Sequence, residues 1–106
     1  MYKFCVYVPE QALESVKSAI FAAGGGVAGN YDQCAWQVLG EGQFRPLSGS
    51  NPALGVQGIC ERVPEYKLEL VVDDRAIARV IEAMKAAHPY EEPAFQYWRV
   101  NEAFAE

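Results

Sequence analysis

The sequence is short of the residues from which catalytic and metal centres are usually built. Its 106 residues hold one histidine, His88. They hold three cysteines, Cys5, Cys34 and Cys60, at no spacing that a metal site uses. An odd set of thiols without a pairing pattern reads as reduced cysteine in a cytoplasmic protein, serving mostly as small buried hydrophobes. No apolar run approaches membrane-spanning length. The opening stretch Met1 to Val8 is too short and too alternating to read as a signal peptide. Lys and Arg number 9 against 14 Asp and Glu, for a net charge of −5, and the basic residues do not cluster. That balance excludes nucleic acid and an anionic membrane surface as natural partners. What the chain has in quantity is apolar surface, 51% of its residues, enough for a core without staples. At this length residues 1–106 are expected to form a single domain.

Tyr2, Phe4, Val6 and Val8 alternate with Lys3, Cys5 and Tyr7, the period of a strand with one buried face. Pro9 stops that strand and suits a helix start, and Glu10 and Glu14 favour the first turns of the helix. Leu13, Val16, Ala19, Ile20 and Ala23 then recur every three or four residues, predicting an amphipathic helix. Gly24-Gly25-Gly26 ends it. These glycines follow a helix, whereas a phosphate loop follows a strand and opens one, so they read as a cap and turn. A second strand is predicted from Cys34 to Leu39, with Gly40-Glu41-Gly42 as a turn after it. Ser48 to Gly58 is irregular, and Ile59 to Val63 reads as a short strand. Tyr66, Leu68, Leu70 and Val72 form the buried face of a further strand. Asp73 or Asp74 caps a second helix with the stripe Ile77, Val80, Ile81, Met84 and Ala87. Phe95 to Val100 is the last strand, and Asn101 to Glu106 reads as a loose tail.

An internal repeat organises these elements. A shift of 64 positions lays Val8 on Val72, Leu13 on Ile77, Val16 on Val80, Ile20 on Met84 and Ala23 on Ala87. The chain therefore reads as two β-α-β halves, an α+β, ferredoxin-like β-α-β-β-α-β two-layer sandwich with a long β2–β3 connector. Both helices would cover one face of the sheet. The other face would carry Tyr7, Val71, Trp98 and part of the Trp36 strand. So much apolar surface predicts self-association. The connector, from Gly40 to Val63, is too long for a hairpin turn and reads as an arm that reaches a neighbouring subunit.

The titratable groups concentrate in Ala87-His88-Pro89-Tyr90-Glu91-Glu92-Pro93-Ala94-Phe95. Two of the six prolines and an adjacent carboxylate pair flank the single imidazole there. Three readings stay open. In the first, the segment is a helix-ending turn: His88 caps a helix carbonyl and Glu91 and Glu92 face water. In the second it is a ligand or ion site, with His88, Glu91 and Glu92 as a minimal divalent-metal set. In the third it is catalytic, although no nucleophile and base can be paired. The helix dipole would favour the protonated form of His88. The repeat puts the turn from Gly24 to Tyr31 and the turn from His88 to Pro93 at equivalent helix C-termini. Both are therefore expected toward the same end of the domain. Asn30, Tyr31 and Cys34 would then approach His88, Tyr90, Glu91 and Glu92, within a subunit or across a boundary. Read singly, Asn30 and Tyr31 hold a turn, Cys34 is packed, and Trp36, Tyr97 and Trp98 belong to core or interface.

Two sets of motifs resemble a known family. One is Gly26-Val27-Ala28-Gly29-Asn30-Tyr31-Asp32-Gln33-Cys34, continued by Gly42-Gln43-Phe44-Arg45-Pro46-Leu47 and Gly49-Ser50-Asn51-Pro52. The other is His88-Pro89-Tyr90-Glu91-Glu92-Pro93-Ala94. Together, over roughly Tyr2 to Val100, they resemble the domain inserted in YqfO-type, Nif-three-like (NGG-interacting-factor-three-like) proteins. That inserted domain is similar to CutA and PII-like proteins, so the resemblance implies a CutA/PII-like fold and a trimer or a multiple of one. The family's flanking domain carries a His- and Glu-rich two-metal site, which a chain with one histidine does not reproduce. A stand-alone copy of the inserted module is therefore expected.

The function expected from these readings is a cytoplasmic, homo-oligomeric binding or regulatory module without catalysis of its own. Its cofactor is unknown, with a divalent metal or a small metabolite as the ligand class considered. Its partner is a further copy of itself, with no nucleic acid and no membrane. The alternative is an enzyme or enzyme subunit in metal-dependent hydrolysis, by analogy with the full-length family. A third possibility is a purely structural assembly domain.

Overall fold

The structure, a computed structural model, describes residues 1–101. The elements run β1 (Tyr2–Pro9), a single 3-10 turn (Glu10–Ala12), α1 (Leu13–Ala22), β2 (Trp36–Phe44), β3 (Glu61–Val72), α2 (Ile77–Ala87) and β4 (Phe95–Arg99). The four strands form one antiparallel sheet in the order β2-β3-β1-β4. This is the predicted ferredoxin-like arrangement. The expected tail falls outside the described residues, apart from Asn101.

The alternation read from the sequence sets the register of the central pair. Tyr2 lies opposite Val72, Phe4 opposite Leu70, Val6 opposite Leu68 and Val8 opposite Tyr66. Directly opposed residues share a face, so one face of the sheet receives all of these side chains. Phe4, Val6, Val8, Leu68 and Val72 are fully buried there. Leu13, Val16 and Ile20 of α1 and Val80 and Met84 of α2 close over them to make one core cluster. Both helices therefore lie on the same side of the sheet.

Helix ends follow the sequence with one change. Gly24 and Gly26 both take positive φ, 107° and 79°, where other residues are strained. Gly25 is needed for space: a Cβ there would sit 2.8 Å from the Ile20 side chain and 3.1 Å from Leu70. The expected capping aspartate of α2 acts one turn earlier. Asp73 accepts the Arg75 N–H at 2.8 Å, and Ala76 is the residue that caps the helix proper.

The middle of the chain departs from expectation. Gly40-Glu41-Gly42 is strand, not turn, and β3 runs without interruption from Glu61 through Pro64 to Val72. β2 and β3 thus make a ribbon paired from Trp36↔Glu69 out to Phe44↔Glu61. β1 ends at Pro9, opposite Glu65. Pro64 falls just beyond that last pair, where β3 has lost one neighbour and a missing N–H is tolerated. Periodicity broke at the glycines and the proline because neither residue type advertises a strand, and pairing with a long partner overrode the local preference.

Outside the ribbon, residues 45–60 form the irregular connector. Its Leu47, Leu54, Val56 and Ile59 are exposed. No helix among the described residues is long and apolar enough to cross a membrane.

Phe4 and Met84 have no exposed surface, so truncating either leaves a cavity. Phe4→Ala should cost about 3–5 kcal/mol and Met84→Ala about 2–5 kcal/mol. Urea denaturation checks both, with the slope of the transition unchanged. A loss below about 1 kcal/mol for either would contradict this core assignment.

Candidate functional site

The site is built where α2 gives way to β4. Pro89 disfavours helical backbone in the residue before it. His88 accordingly leaves the helix at φ −77°, ψ 135°, while its N–H still bonds the Met84 carbonyl at 2.9 Å. The His88 ring is turned inward and is only 7% exposed. Its Nε2–H donates to the Tyr7 carbonyl of β1 at 2.8 Å. Its Nδ1 accepts the backbone N–H of Tyr90 at 3.1 Å. A carbonyl only accepts and an amide N–H only donates, so these two bonds fix the neutral tautomer protonated at Nε2. Burial pushes the His88 pKa below the ordinary histidine value, against the opposing pull of the Tyr7 carbonyl and Glu65.

Two expectations are corrected here. The helix dipole was expected to favour protonated His88, and burial prevails instead. The partner was expected to be a helix carbonyl, and it is a strand carbonyl. His88 therefore ties the end of α2 to the end of β1.

The next residue in the turn faces a cleft. The Tyr90 hydroxyl donates to Glu65 Oε2 at 3.0 Å. Burial, then the hydrogen bond to and the charge of Glu65, push the Tyr90 pKa up to about 12. Glu65 lies flat over bare backbone: a Cβ on Gly42 would come 2.0 Å from its Oε1. Phe44 stacks at a tilt on Tyr90, ring centres 5.8 Å apart. These groups wall a cleft of about 370 Å³ between the end of the β2–β3 ribbon, the connector and the His88 turn. Pro46, Leu47, Pro52 and Leu54 supply its apolar side, and Arg45, Glu91 and Glu92 its rim. Glu91 also anchors the connector, accepting the Asn51 N–H at 3.0 Å.

The residues singled out in the sequence are divided by this geometry. Tyr90, Glu91 and Glu92 line the cleft, and His88 stands behind it as the support of the turn. Asn30, Tyr31 and Cys34 are not there. The Gly26 N–H bonds the Val71 carbonyl at 2.8 Å and the Cys34 N–H bonds the Gly26 carbonyl at 2.9 Å, at the far end of β3. Ala28 and Tyr31 close a small turn on each other, and Tyr31 is 75% exposed. β1 and β3 are antiparallel, so the two halves of the repeat point in opposite directions and their turns sit at opposite ends of the sheet. The same-end expectation is thus corrected within the chain.

His88, Glu91 and Glu92, the expected metal set, do not converge on one point in this structure. Both nitrogens of His88 are taken by backbone, and no group of three His, Cys, Asp or Glu side chains among the described residues is placed to hold a metal. Sequence reasoning missed Tyr7, Phe44 and Glu65. The signal was Gly40 and Gly42 two apart, which leave one face of β2 bare for a neighbouring side chain to cross.

No protein-family model matches the chain. It is 50% identical over 93 residues to a GTP cyclohydrolase 1 type 2 homolog of Mycobacterium bovis, a match that covers 88% of this chain and 24% of that protein. The chain thus spans about a quarter of the length of the curated relatives it matches. Among solved structures it is similar to a Bacillus cereus protein related to NIF3, with a TM-score of 0.82, 36% identity, and coverage of 95% of this chain and 26% of that one. It is also similar to the periplasmic divalent cation tolerance protein CutA of Archaeoglobus fulgidus. There the TM-score is 0.66 at 16% identity, covering 98% and 88% of the two chains, a likeness of fold alone.

Two outcomes follow from the site. The native state holds His88 neutral, so as pH falls below about 6.5 the unfolded chain takes up a proton first. Stability should be full above that pH and should decline until the depressed native pKa is reached. Urea midpoints between pH 8 and 5 should show this, and His88→Gln, which keeps a donor for Tyr7, should flatten the slope. An equal slope in both proteins would contradict the assignment. Tyr90 should ionise well above the ordinary tyrosine range. In Gly42→Ala, which evicts Glu65, its titration followed by carbon-13 NMR of labelled tyrosine should move down yet stay above about 10, because burial is the larger cause.

Proposed function

We propose that this chain, similar over nearly its whole length to one segment of the Nif-three-like GTP cyclohydrolase 1 type 2 homologs and sharing the CutA and PII-like fold, is a homo-oligomeric binding or regulatory module. Residues 1–106 act in it as one domain, and its ligand occupies the cleft between the connector and the His88 turn. The observation that carries the binding role is the cleft itself: concave, mostly apolar, with a few oriented polar groups, in the size range of small-molecule sites.

The self-associating role is supported by the sheet face turned away from the helices. Pairing puts Trp36 and Val38 of β2, Cys5 and Tyr7 of β1, Val71 of β3 and Trp98 of β4 on that face. Trp36, Val38 and Trp98 are 58%, 44% and 45% exposed. Two tryptophans half in water on one sheet are an unusual surface for a monomer. A further copy of the chain is the partner the resemblance implies, in a trimer or a multiple of one.

The second reading, an enzyme or enzyme subunit in metal-dependent hydrolysis, is favoured by the name its relatives carry. Those relatives are about four times as long as their match to this chain. Against it stands the engagement of His88 with backbone on both nitrogens.

Light scattering should give a trimer or a multiple of it at micromolar concentration, from an interface of more than roughly 1,000 Å². Trp36→Glu combined with Trp98→Glu should yield a folded monomer, because both side chains lie outside the core. A monomeric parent chain would contradict the assembly.

A further inference from the structure

The cleft has a chemical character beyond its shape, and this inference rests on the reading that the cleft is the ligand site. Three aromatic residues, Tyr7, Phe44 and Tyr90, line it from β1, β2 and the His88 turn. Glu65 of β3 lies among them. We propose that these four residues form a recognition site for a small alkylammonium cation.

The argument starts from what is preorganised. Tyr90 is held through its backbone by His88 and through its hydroxyl by Glu65. Phe44 packs on it at 5.8 Å with the planes inclined by 57°, so the two rings make a corner and not a closed stack. An aromatic corner presents negative faces to its opening, and a cation carrying methyl or methylene groups is attracted there while its apolar surface is covered. Glu65 adds a full negative charge at the base. It is half-buried, and the strip of backbone at Gly42 holds its carboxylate in place.

Charge around the rim points the same way. Arg45 is the one cation lining the cleft, against Glu65, Glu91 and Glu92. Among the described residues Arg45 forms no ion pair with any of the three. A phosphate- or carboxylate-bearing ligand would meet net repulsion there. A neutral ligand would leave the Tyr90 hydroxyl as the one side-chain partner of the Glu65 charge. The ligand class that satisfies both aromatic faces and carboxylate is an organic monocation of metabolite size.

The test is an amide NMR titration of the full chain with choline, with its neutral isostere 3,3-dimethyl-1-butanol, and with ATP. Choline should shift the Phe44 and Tyr90 amides saturably. The neutral isostere should bind roughly tenfold more weakly or worse, and Glu65→Gln and Phe44→Leu should each weaken choline by a similar factor. Glutamine still accepts the Tyr90 hydroxyl, so the first variant keeps the turn. ATP should leave the cleft amides unmoved. Equal binding of choline and its isostere, or ATP binding that depends on Arg45, would overturn the cation site while leaving a ligand cleft in place. Cleft amides that respond to none of the three probes would overturn the cation site and the cleft reading together.

Discussion

The antiparallel pairing of β1 with β3 is the constraint on which the rest of this structure depends. Its register, Tyr2↔Val72 to Pro9↔Glu65, puts the apolar sets of both halves of the repeat on one face. Both helices must then cover that face, and the opposite face is left with two tryptophans exposed. The same pairing reverses one half of the repeat against the other. Two turns that are equivalent in sequence therefore do different work at different ends. At one end Gly26 and Cys34 close a backbone-bonded turn. At the other, His88, Tyr90 and Glu65 build one wall of a cleft.

That wall depends on a few polar bonds with low tolerance for change. His88 is buried with both nitrogens matched, and no buried side-chain nitrogen or oxygen among the described residues lacks a partner. A buried imidazole in this position fixes a backbone path, because each nitrogen has a single acceptable role. Tyr90 carries that path into the cleft, and Glu65 holds the ring where Phe44 can meet it. Gly42 matters through what it lacks: any side chain there would occupy the place of the Glu65 carboxylate. A histidine, two glutamates and a tyrosine within five residues look like a metal or catalytic set in sequence. In the folded chain the histidine is support, and the groups around the cleft come from four separate elements.

The helices, the buried faces of β1 and β3 and the two-layer architecture were legible because periodicity reports burial directly. Phe4, Val6, Val16, Leu68 and Val80 were expected in the core and lie there with no exposed surface. The ribbon was illegible past Leu39 because Gly40 and Gly42 read as a turn and Ile59 to Val63 as a strand separate from Tyr66 to Val72, while cross-strand pairing holds Gly40, Gly42 and Pro64 extended. Of the candidate site, Tyr90, Glu91 and Glu92 were legible from their clustering. Tyr7, Phe44 and Glu65 were not, since a cleft assembled from distant strands leaves no local pattern. The misplacement of Asn30, Tyr31 and Cys34 has one cause: a sequence repeat gives equivalence between segments but not the direction in which each half runs.

The direction of the two halves also decides whether the cleft and the Gly24–Cys34 turn lie together or apart. Spin labels on Cys34 and on a cysteine introduced by Glu92→Cys, with Cys5 and Cys60 replaced by serine and the labelled chain diluted into unlabelled chain, report it directly. Turns at opposite ends of strands of this length should give a separation of about 25 Å or more, at roughly 3.3 Å per residue. A distance under about 15 Å, less than five residues of strand, would contradict the antiparallel reversal and with it the separation of the cleft from the Gly24–Cys34 turn.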